Sequence, residues 1–272
     1  MGNTYNEYMK LNVPEFLTQH ADVDQKYIMD WDDRAERFNE KSLVTSNDPI
    51  QFSLEHDITK KYCNGRTRLF DFGCGNGATI RYLLDDNCSF EAVGGCDISE
   101  KLIDISRKQV PNGDFYIVDE NNDYSFLKKF KPDVVVHKRV LHNLGGRKEQ
   151  RDHLRRLCSN LPSGCRLLLI TAFFEGLHEL NRIRHAFGLP YIPEGSHNDY
   201  SRLGDVVDVL SDLGGKVDIV EYASSYYLGS RVLQPFCFPN DEIDYCHMLN
   251  RIFASFPNQG RFGVHKMIVA NL

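Results

Sequence analysis

The chain of 272 residues has few features of the specialised protein classes that composition alone identifies. Its eight cysteines include no C-x-x-C pair, so the sequence indicates reduced thiols and no metal site. Lysine and arginine number 32 against 38 aspartates and glutamates, which leaves a net charge of −6. Without an excess of positive charge, the chain has no electrostatic footprint for nucleic acid.

Long hydrophobic runs are also missing. The longest, 167–174, is interrupted by Thr171 and is far shorter than the ~20 residues that a membrane-spanning helix needs. The N-terminus is polar and acidic and lacks the pattern of a secretory signal. The sequence therefore predicts a cytoplasmic protein without membrane insertion, and its length suits one α/β domain with added segments.

A glycine-rich turn is the most informative local pattern. The apolar run Leu69–Phe72 is followed by the turn 73–77, whose first, third and fifth residues are glycine, and then by a helical stretch, 78–84. This order predicts a buried parallel strand, a tight turn that exposes backbone to a ligand, and a helix N-terminus. A second apolar run, 92–98, reaches Asp97 near its end. Because an acid there accepts hydrogen bonds from ribose hydroxyls, the sequence predicts a nucleoside-containing cofactor.

Asp71 indicates which cofactor this is. The spacing Gly73-x-Gly75-x-x-Ala78 also fits the dinucleotide fingerprint. A carboxylate two residues before the first glycine, however, would repel a pyrophosphate unless it pointed away from it. S-adenosylmethionine carries no phosphate, and its ammonium group needs an anionic or carbonyl partner. The acid followed by alternating glycines therefore favours S-adenosylmethionine.

Further strand-like segments follow the glycine turn along the chain. Residues 115–118 and 134–136 are typical of a third and a fourth strand, and 166–170 of a fifth. With the glycine turn, these motifs cover residues 66–172 and resemble those of the class I S-adenosylmethionine-dependent methyltransferases. The resemblance implies a Rossmann-like α/β fold with a seven-stranded, mostly parallel sheet. Its sixth and seventh strands, expected at 217–222 and 266–270, would form an antiparallel pair at the sheet edge.

The same resemblance implies where the cofactor S-adenosylmethionine binds. In the family, the acid and glycines of the first motif surround the methionine end, an acid after the third strand faces the adenine amino group, and residues after the fourth strand line the methionine end again. The predicted cofactor-binding residues are Asp71, Gly73, Cys74, Gly75, Gly77, Asp97, Ile98, Asp119, Glu120, His137 and Arg139.

Segments outside this core are expected to bind the acceptor. Residues 1–62 are predicted to form a helical N-terminal cap, ahead of a methyltransferase domain at 63–272 with insertions at about 173–200 and 224–262. In the cap, the single tryptophan, Trp31, and the nearby Arg34 either close over the cofactor and acceptor or anchor a helix on the sheet. The first insertion is polar, aromatic and loop-rich, a composition typical of a binding surface. The second insertion includes a helix expected over 241–256.

The expected reaction is methyl transfer to a small-molecule acceptor, with a sugar hydroxyl or another small metabolite hydroxyl favoured. A hydroxyl acceptor needs a general base, and His197 is the first candidate because imidazole titrates near neutral pH; His142 and Glu175 are the alternatives. The predicted acceptor-binding residues are Trp31, Arg34, Asn198, Tyr200, Tyr226, Tyr227 and Arg231.

The pattern of the second half of the chain looks similar to methyltransferases of bacterial surface-polysaccharide and natural-product clusters. Two other functions stay open at this stage. The alanine-variant fingerprint permits an NAD(P)-dependent oxidoreductase, which Asp71 and the region ahead of the first strand oppose. A non-catalytic S-adenosylmethionine-binding protein would keep the cofactor site without turnover. The oligomeric state does not follow from the sequence.

Overall fold

The computed structural model describes residues 48–118, 123–194, 199–241 and 244–272. They form one sheet of seven strands in the order β3-β2-β1-β4-β5-β7-β6. The strands are β1 Arg68–Phe72, β2 Ala92–Asp97, β3 Asp114–Ile117, β4 Val134–Lys138, β5 Arg166–Ala172, β6 Lys216–Val220 and β7 His265–Asn271. Strands β1 to β5 pair in parallel, whereas β7 runs antiparallel to both β5 and β6. The predicted class I methyltransferase fold is therefore confirmed, with β7 inside the sheet and β6 at its edge.

Helices cover both faces of this sheet. They are α1 Pro49–Cys63, α2 Ala78–Asp85, α3 Glu100–Gln109, α4 Ser125–Phe130, α5 Arg147–Ser159, α6 Phe174–Ala186, α7 Leu203–Asp212, α8 Ser224–Tyr227, α9 Gln234–Cys237 and α10 Met248–Ser255, with a 3₁₀ turn at Leu141–Asn143 and a π-helical turn at Leu228–Leu233. In the part of the chain that the structure describes, none of them is long and apolar enough to cross a membrane.

Residue alternation along the strands divides the core into two layers. Phe70 and Val135 pack with residues of α4, α5 and α7 on one face, whereas Leu69 and Val136 pack with residues of α1, α2 and α3 on the other. Because both faces of the parallel strands are covered, these strands are mostly apolar and do not alternate regularly with polar residues. The polar side chains of the sheet therefore lie mostly at the ends of the strands.

The strand order reverses between β1 and β4. In open α/β sheets the crevice at such a reversal, outside the carboxyl ends of the strands, is where ligands bind. Asp71 lies near the carboxyl end of β1, and Lys138 and Arg139 lie at the end of β4. The fold thus brings the predicted glycine turn and the residues after β4 to the same edge.

Three segments differ from the sequence predictions. Strand β4 continues two residues beyond the expected 134–136, to Lys138. The first insertion, predicted to be rich in loops, begins with the helix α6, because Leu177 and Leu180 share a buried face. The helix expected over 241–256 is observed only at Met248–Ser255 among the described residues.

Candidate active site

The turn after β1 is built by glycines in the left-handed region. Gly73, Gly75 and Gly77 have φ angles of +77°, +54° and +80°, which side chains with a Cβ rarely adopt. The N–H groups of Gly73 and Cys74 both donate to the carbonyl of Cys96, at 2.8 and 2.9 Å. A Cβ at Gly73 would lie only 2.1 Å from Val140 Cγ2. The turn is therefore hydrogen-bonded to β2, and the segment after β4 packs closely against it.

Cys74 contributes its backbone to the turn but not its side chain. Its thiol is buried and faces Ser106 of α3, with 3.9 Å between Sγ and Oγ. Burial, with smaller contributions from Asp97 and Asp71, raises the pKa of this thiol well above its usual value. The predicted contact of Cys74 with the cofactor therefore has only the backbone available.

Asp97 lies beside the turn, at the end of β2. Its Oδ2 accepts a hydrogen bond from the Gly75 N–H at 2.8 Å, and its Oδ1 accepts one from the Ser99 N–H at 3.1 Å. The following residue, Ile98, is one of the exposed large apolar residues, with 40% of its surface accessible. The structure thus brings together a fixed carboxylate, an open apolar surface and the glycine turn, as the sequence predicted for this corner.

Asp71 and Lys138 are opposite charges buried on one face of neighbouring strands. Residue 71 pairs with Val136 in the sheet register, so Lys138 lies one pleat further along on the same face. Neither Asp71 Oδ1 nor Lys138 Nζ makes a hydrogen bond within the described residues. Burial raises the pKa of Asp71 to about 7, while the Lys138 ammonium opposes the shift. Burial likewise lowers the pKa of Lys138, whose Nζ lies 4.5 Å from the centre of the Phe52 ring.

Arg139 forms a buried ion pair with Glu55 of α1. Its Nη2 lies 2.7 Å from Glu55 Oε1, and its Nε lies 3.1 Å from Oε2. Despite burial, which opposes ionisation, the guanidinium holds the pKa of the Glu55 carboxyl below its usual value. Arg139 also has a φ of +61°, a strained conformation for a residue with a side chain that is typical of functional sites. Arg139 was predicted from the sequence as a site residue, whereas Glu55 and Lys138 were not.

His137 lies in the opposite layer from Lys138 because the strand continues through both. Its Nε2 is 2.8 Å from His153 Nε2, and the ring stacks on Phe72 with 5.5 Å between centres. The side chain is fully buried, and burial lowers its pKa to about 4. His153 in turn hydrogen-bonds Tyr124 across 2.9 Å. The structure therefore places the His137 side chain in the packed core and leaves only its backbone for the predicted cofactor contact.

His142 and Glu175, the alternative bases, both make defined contacts. His142 Nδ1 is 2.9 Å from Thr171 Oγ1 and accepts a hydrogen bond from the Ala172 N–H at 3.3 Å. Glu175 accepts from the Leu203 N–H with both carboxylate oxygens, at 3.1 and 3.2 Å, at the start of α7. A carboxylate at a helix N-terminus stabilises that helix, so the contacts of Glu175 are structural.

Two predicted acceptor residues, Tyr226 and Arg231, meet at Asp48, the N-cap of α1. The Tyr226 hydroxyl donates to Asp48 at 2.7 and 2.8 Å from its two oxygens, and Arg231 Nη2 lies 2.9 Å from Oδ2. Tyr227 lies next to them and donates to Gln51 Oε1 at 3.2 Å. Tyr226 is almost fully buried, so its hydroxyl holds the Asp48 carboxylate that also binds Arg231. Arg231 Nη1 makes no hydrogen bond within the described residues.

Tyr200, the remaining acceptor residue that the structure describes, is half-buried among the residues of the second insertion. Burial, with the Glu194 carboxylate adding to it, raises the pKa of its hydroxyl. Several predicted site residues lie outside the described residues: Trp31, Arg34, Asp119, Glu120, His197 and Asn198.

A family model and several solved structures match this chain. Residues 70–167, from β1 into β5, match the family model of a methyltransferase domain. The magnesium protoporphyrin IX methyltransferase of Synechocystis PCC 6803, solved with S-adenosylhomocysteine bound, superposes with a TM-score of 0.54 at 18% identity, over 91% of this chain and 99% of that one. Residues 70–167 thus form a methyltransferase domain, and the described chain has the class I methyltransferase fold.

Other solved structures share this fold. The DhpI complex with S-adenosylmethionine has a TM-score of 0.55 at 13% identity, over 94% of this chain and all of that one. The plantazolicin methyltransferase BpumL, bound to a triazolic substrate analogue and S-adenosylhomocysteine, has a TM-score of 0.54 at 13% identity, over 92% and 91% of the two chains. No curated protein matches the sequence significantly. At these identities the likeness establishes the fold and leaves the acceptor to the site itself.

Proposed function

We propose that the methyltransferase transfers the methyl group to a hydroxyl of a small, oxygen-rich acceptor such as a sugar. The observation that carries this proposal is a pair of buried polar groups without partners in the described residues, Arg231 Nη1 and the Tyr222 hydroxyl. Tyr222 interacts electrostatically with Glu55, Tyr227 and Arg139, next to the end of β4. Buried polar groups without a partner are costly, and an acceptor with several oxygens would satisfy both.

The cofactor end of the site fits S-adenosylmethionine. Asp97, at the glycine turn, is the proposed partner of the ribose hydroxyls. Asp71 and Lys138 are buried, opposite in charge and without hydrogen bonds at Oδ1 and Nζ, which suits the zwitterionic methionine end: the carboxylate of Asp71 would receive the ammonium and Lys138 the carboxylate. The strained turn at Arg139 would close this end of the site beside α1.

When bound, S-adenosylmethionine supplies a methyl group on an activated sulfonium leaving group. The protein therefore needs mainly to align the acceptor and to exclude water, effects that contribute ~7–11 kcal/mol in well-oriented reactions. Residues 1–62, proposed as a cap over the cofactor, would complete this enclosure together with Trp31 and Arg34. The insertions, with Tyr200 and Arg231, would orient the acceptor.

Asp97→Ala is expected to weaken S-adenosylmethionine binding by about 1.5–3 kcal/mol, since it removes hydrogen bonds to a charged group. Titration calorimetry measures the change, and Asp104→Ala, which removes an exposed aspartate of α3 that pairs with Arg107, is the matched control. Unchanged affinity in folded Asp97→Ala protein would exclude this carboxylate from the cofactor site.

The acceptor class is tested by a screen for methyl transfer followed by mass spectrometry. Sugar nucleotides and small hydroxylated metabolites are expected to be methylated on oxygen, whereas an azole-containing peptide and a porphyrin, the acceptor classes in the names of two fold relatives, are expected to remain unmodified. Methylation of the peptide or porphyrin alone would contradict the proposal.

His197 remains a candidate general base, and Asn198 remains a proposed acceptor residue. With an accepted hydroxyl substrate, a His197 base predicts that His197→Ala lowers turnover by about two to four orders of magnitude, with S-adenosylmethionine affinity unchanged. Wild-type turnover in that variant would rule the residue out and leave the base to be found among the described residues.

A further inference from the structure

Two histidines face the same edge of the sheet beyond the cofactor end. His265 is the first residue of β7 and pairs with Ala172 at the end of β5. His142 lies in the 3₁₀ turn after β4, and its ring is nearly perpendicular to that of His265, with 5.8 Å between centres. Within the described residues, the Nε2 atom of neither ring makes a hydrogen bond.

A chain of hydrogen bonds determines which nitrogen of His265 carries the proton. The Glu55 carboxylate is held ionised by Arg139 and only accepts hydrogen bonds, so the Gln51 amide must turn its NH₂ toward it, at 3.1 Å. Gln51 Oε1 then faces the Tyr227 hydroxyl, which has one proton and donates it there, at 3.2 Å.

The Tyr227 oxygen is left as an acceptor for His265 Nδ1, 2.8 Å away. His265 therefore carries its proton on Nδ1, and its Nε2 has a free lone pair. A lone pair on a ring nitrogen is the electronic requirement of a general base, and His265 is half-buried beside the end of β5.

The neighbours of His142 select the opposite tautomer. The Ala172 N–H donates to its Nδ1 at 3.3 Å, and a backbone amide cannot accept a hydrogen bond in return. The Thr171 hydroxyl also lies 2.9 Å from Nδ1. The proton of neutral His142 is therefore on Nε2, which makes this ring a donor. The pair thus presents one acceptor nitrogen and one N–H group.

We propose that His265 is the general base of methyl transfer and that His142 holds the acceptor oxygen by donating from Nε2. This inference rests on the proposed hydroxyl acceptor. In the step, a lone pair of the acceptor oxygen forms the bond to the methyl carbon while the carbon–sulfur bond breaks and its electron pair stays on sulfur. The hydroxyl proton moves to His265 Nε2, and the resulting imidazolium keeps its Nδ1–H bond to Tyr227.

The charges around His265 determine the pH profile. Burial, followed by the guanidinium groups of Arg139 and Arg231, lowers the pKa of His265 well below its usual value. Two other groups of its surroundings, Tyr227 and His142, remain neutral there. A base acts only when unprotonated, so turnover is expected to stay flat through neutral pH and to fall only well below pH 6.5. A base with the ordinary pKa of imidazole would produce the fall near pH 6.5.

The tautomers are tested without any acceptor. In long-range ¹H–¹⁵N spectra of the wild-type protein, the two ring nitrogens of a neutral histidine differ strongly, and His265→Asn and His142→Gln assign the signals. The proposal predicts Nδ1–H for His265 and Nε2–H for His142, with the His265 signals changed in Tyr227→Phe. An Nε2–H tautomer at His265 would overturn the proposal.

Turnover with two phenols separates base catalysis from a structural effect. Catechol must lose its proton during transfer, whereas 4-nitrocatechol is acidic enough to lose it to water near neutral pH. His265→Asn keeps a donor for Tyr227 but removes the base; it is expected to lower kcat for catechol by about 10²–10⁴-fold and for 4-nitrocatechol far less.

Two controls complete this experiment: the cofactor affinity of His265→Asn and a variant at the protein surface. S-adenosylmethionine affinity should be unchanged in His265→Asn, and His185→Asn, at an exposed position of α6, should match the wild type throughout. Equal loss with both phenols would show that His265 supports structure only and would overturn the proposal. If neither phenol is methylated by the wild type, the tautomers decide the role of His265, and an Nε2–H tautomer there overturns it.

Discussion

Asp71→Asn is expected to abolish S-adenosylmethionine binding and, at the same time, to stabilise the free protein at pH 8. The carboxylate is fully buried, and its Oδ1 has no hydrogen-bond partner in the described residues. Burial raises its pKa from 3.8 to about 7 although the Lys138 ammonium opposes the shift. The fold therefore disfavours this charge, and the proposed ammonium of the cofactor relieves the cost only when it is bound.

The size and the sign of the effect follow from proton linkage. A shift of about three pKa units corresponds to roughly 4 kcal/mol between the two protonation states. Because the pKa of Asp71 in the folded chain is above its unfolded value, the native state binds more protons between about pH 4 and pH 7. The contribution of Asp71 to the free energy of unfolding therefore decreases as pH rises through this interval, and the neutral amide of Asp71→Asn removes the decrease.

Two measurements on the same samples test this prediction. Thermal unfolding at pH 5 and pH 8 should show that Asp71→Asn gains stability over the wild type mainly at pH 8, by up to about 4 kcal/mol. Calorimetry should show that wild-type affinity for S-adenosylmethionine falls about tenfold per pH unit below 7, because binding then requires loss of the Asp71 proton. Asp218→Asn, on the exposed side of β6, is the control. Wild-type affinity in Asp71→Asn would contradict the assignment.

Glu55→Gln and Arg139→Met are each expected to destabilise the protein by about 3–5 kcal/mol, since each leaves one charge of a buried pair without its partner. The pair joins α1 to the end of β4 through two short contacts, and the Glu55 side chain is fully buried. The double variant, which removes both charges, should lose much less than the sum of the two single variants.

Denaturant unfolding of the two single variants, the double variant and the wild type completes this cycle. Arg182→Met, which breaks an exposed pair with Glu179 on α6, is the control, and a change within about 1 kcal/mol is expected because exposed pairs contribute little. If the losses of the two single variants add in the double variant, Glu55 and Arg139 are not energetically coupled.

The sequence by itself determined the part of this protein that is local along the chain. The run Leu69–Phe72, the turn 73–77 and the helix after it are contiguous, and glycine at alternate positions has few other uses than a turn with positive φ. Asp97 follows from the same logic because it ends the adjacent strand. These patterns sufficed for the fold class and the cofactor, and they carry the proposed location of the cofactor site.

The sequence determined the ends of the strands less well, and this changes on which face of the sheet the side chains there lie. The apolar residues of β4 end at Val136, so the sequence indicates no more strand, yet pairing with β5 continues to Lys138. Because side chains alternate between faces in a strand, His137 enters the core beside α5 and Lys138 turns toward Asp71. The two extra strand residues thus bury the side chain of His137, a predicted cofactor-binding residue. They also place Lys138, which the sequence did not single out, on the same face as Asp71.

Only the tertiary structure assembled the acceptor side. Arg139 and Glu55 are 84 residues apart, and Tyr227 and Gln51 are 176 apart. His265 has no motif around it, and its tautomer depends on Glu55, Gln51 and Tyr227 from distant parts of the chain. Contacts of this kind form when the sheet closes β7 against β5 and α1 packs on the end of β4, and no local periodicity records them. The chemistry of the proposed base is therefore a property of the folded chain, whereas the cofactor turn is a property of nine consecutive residues, 69–77.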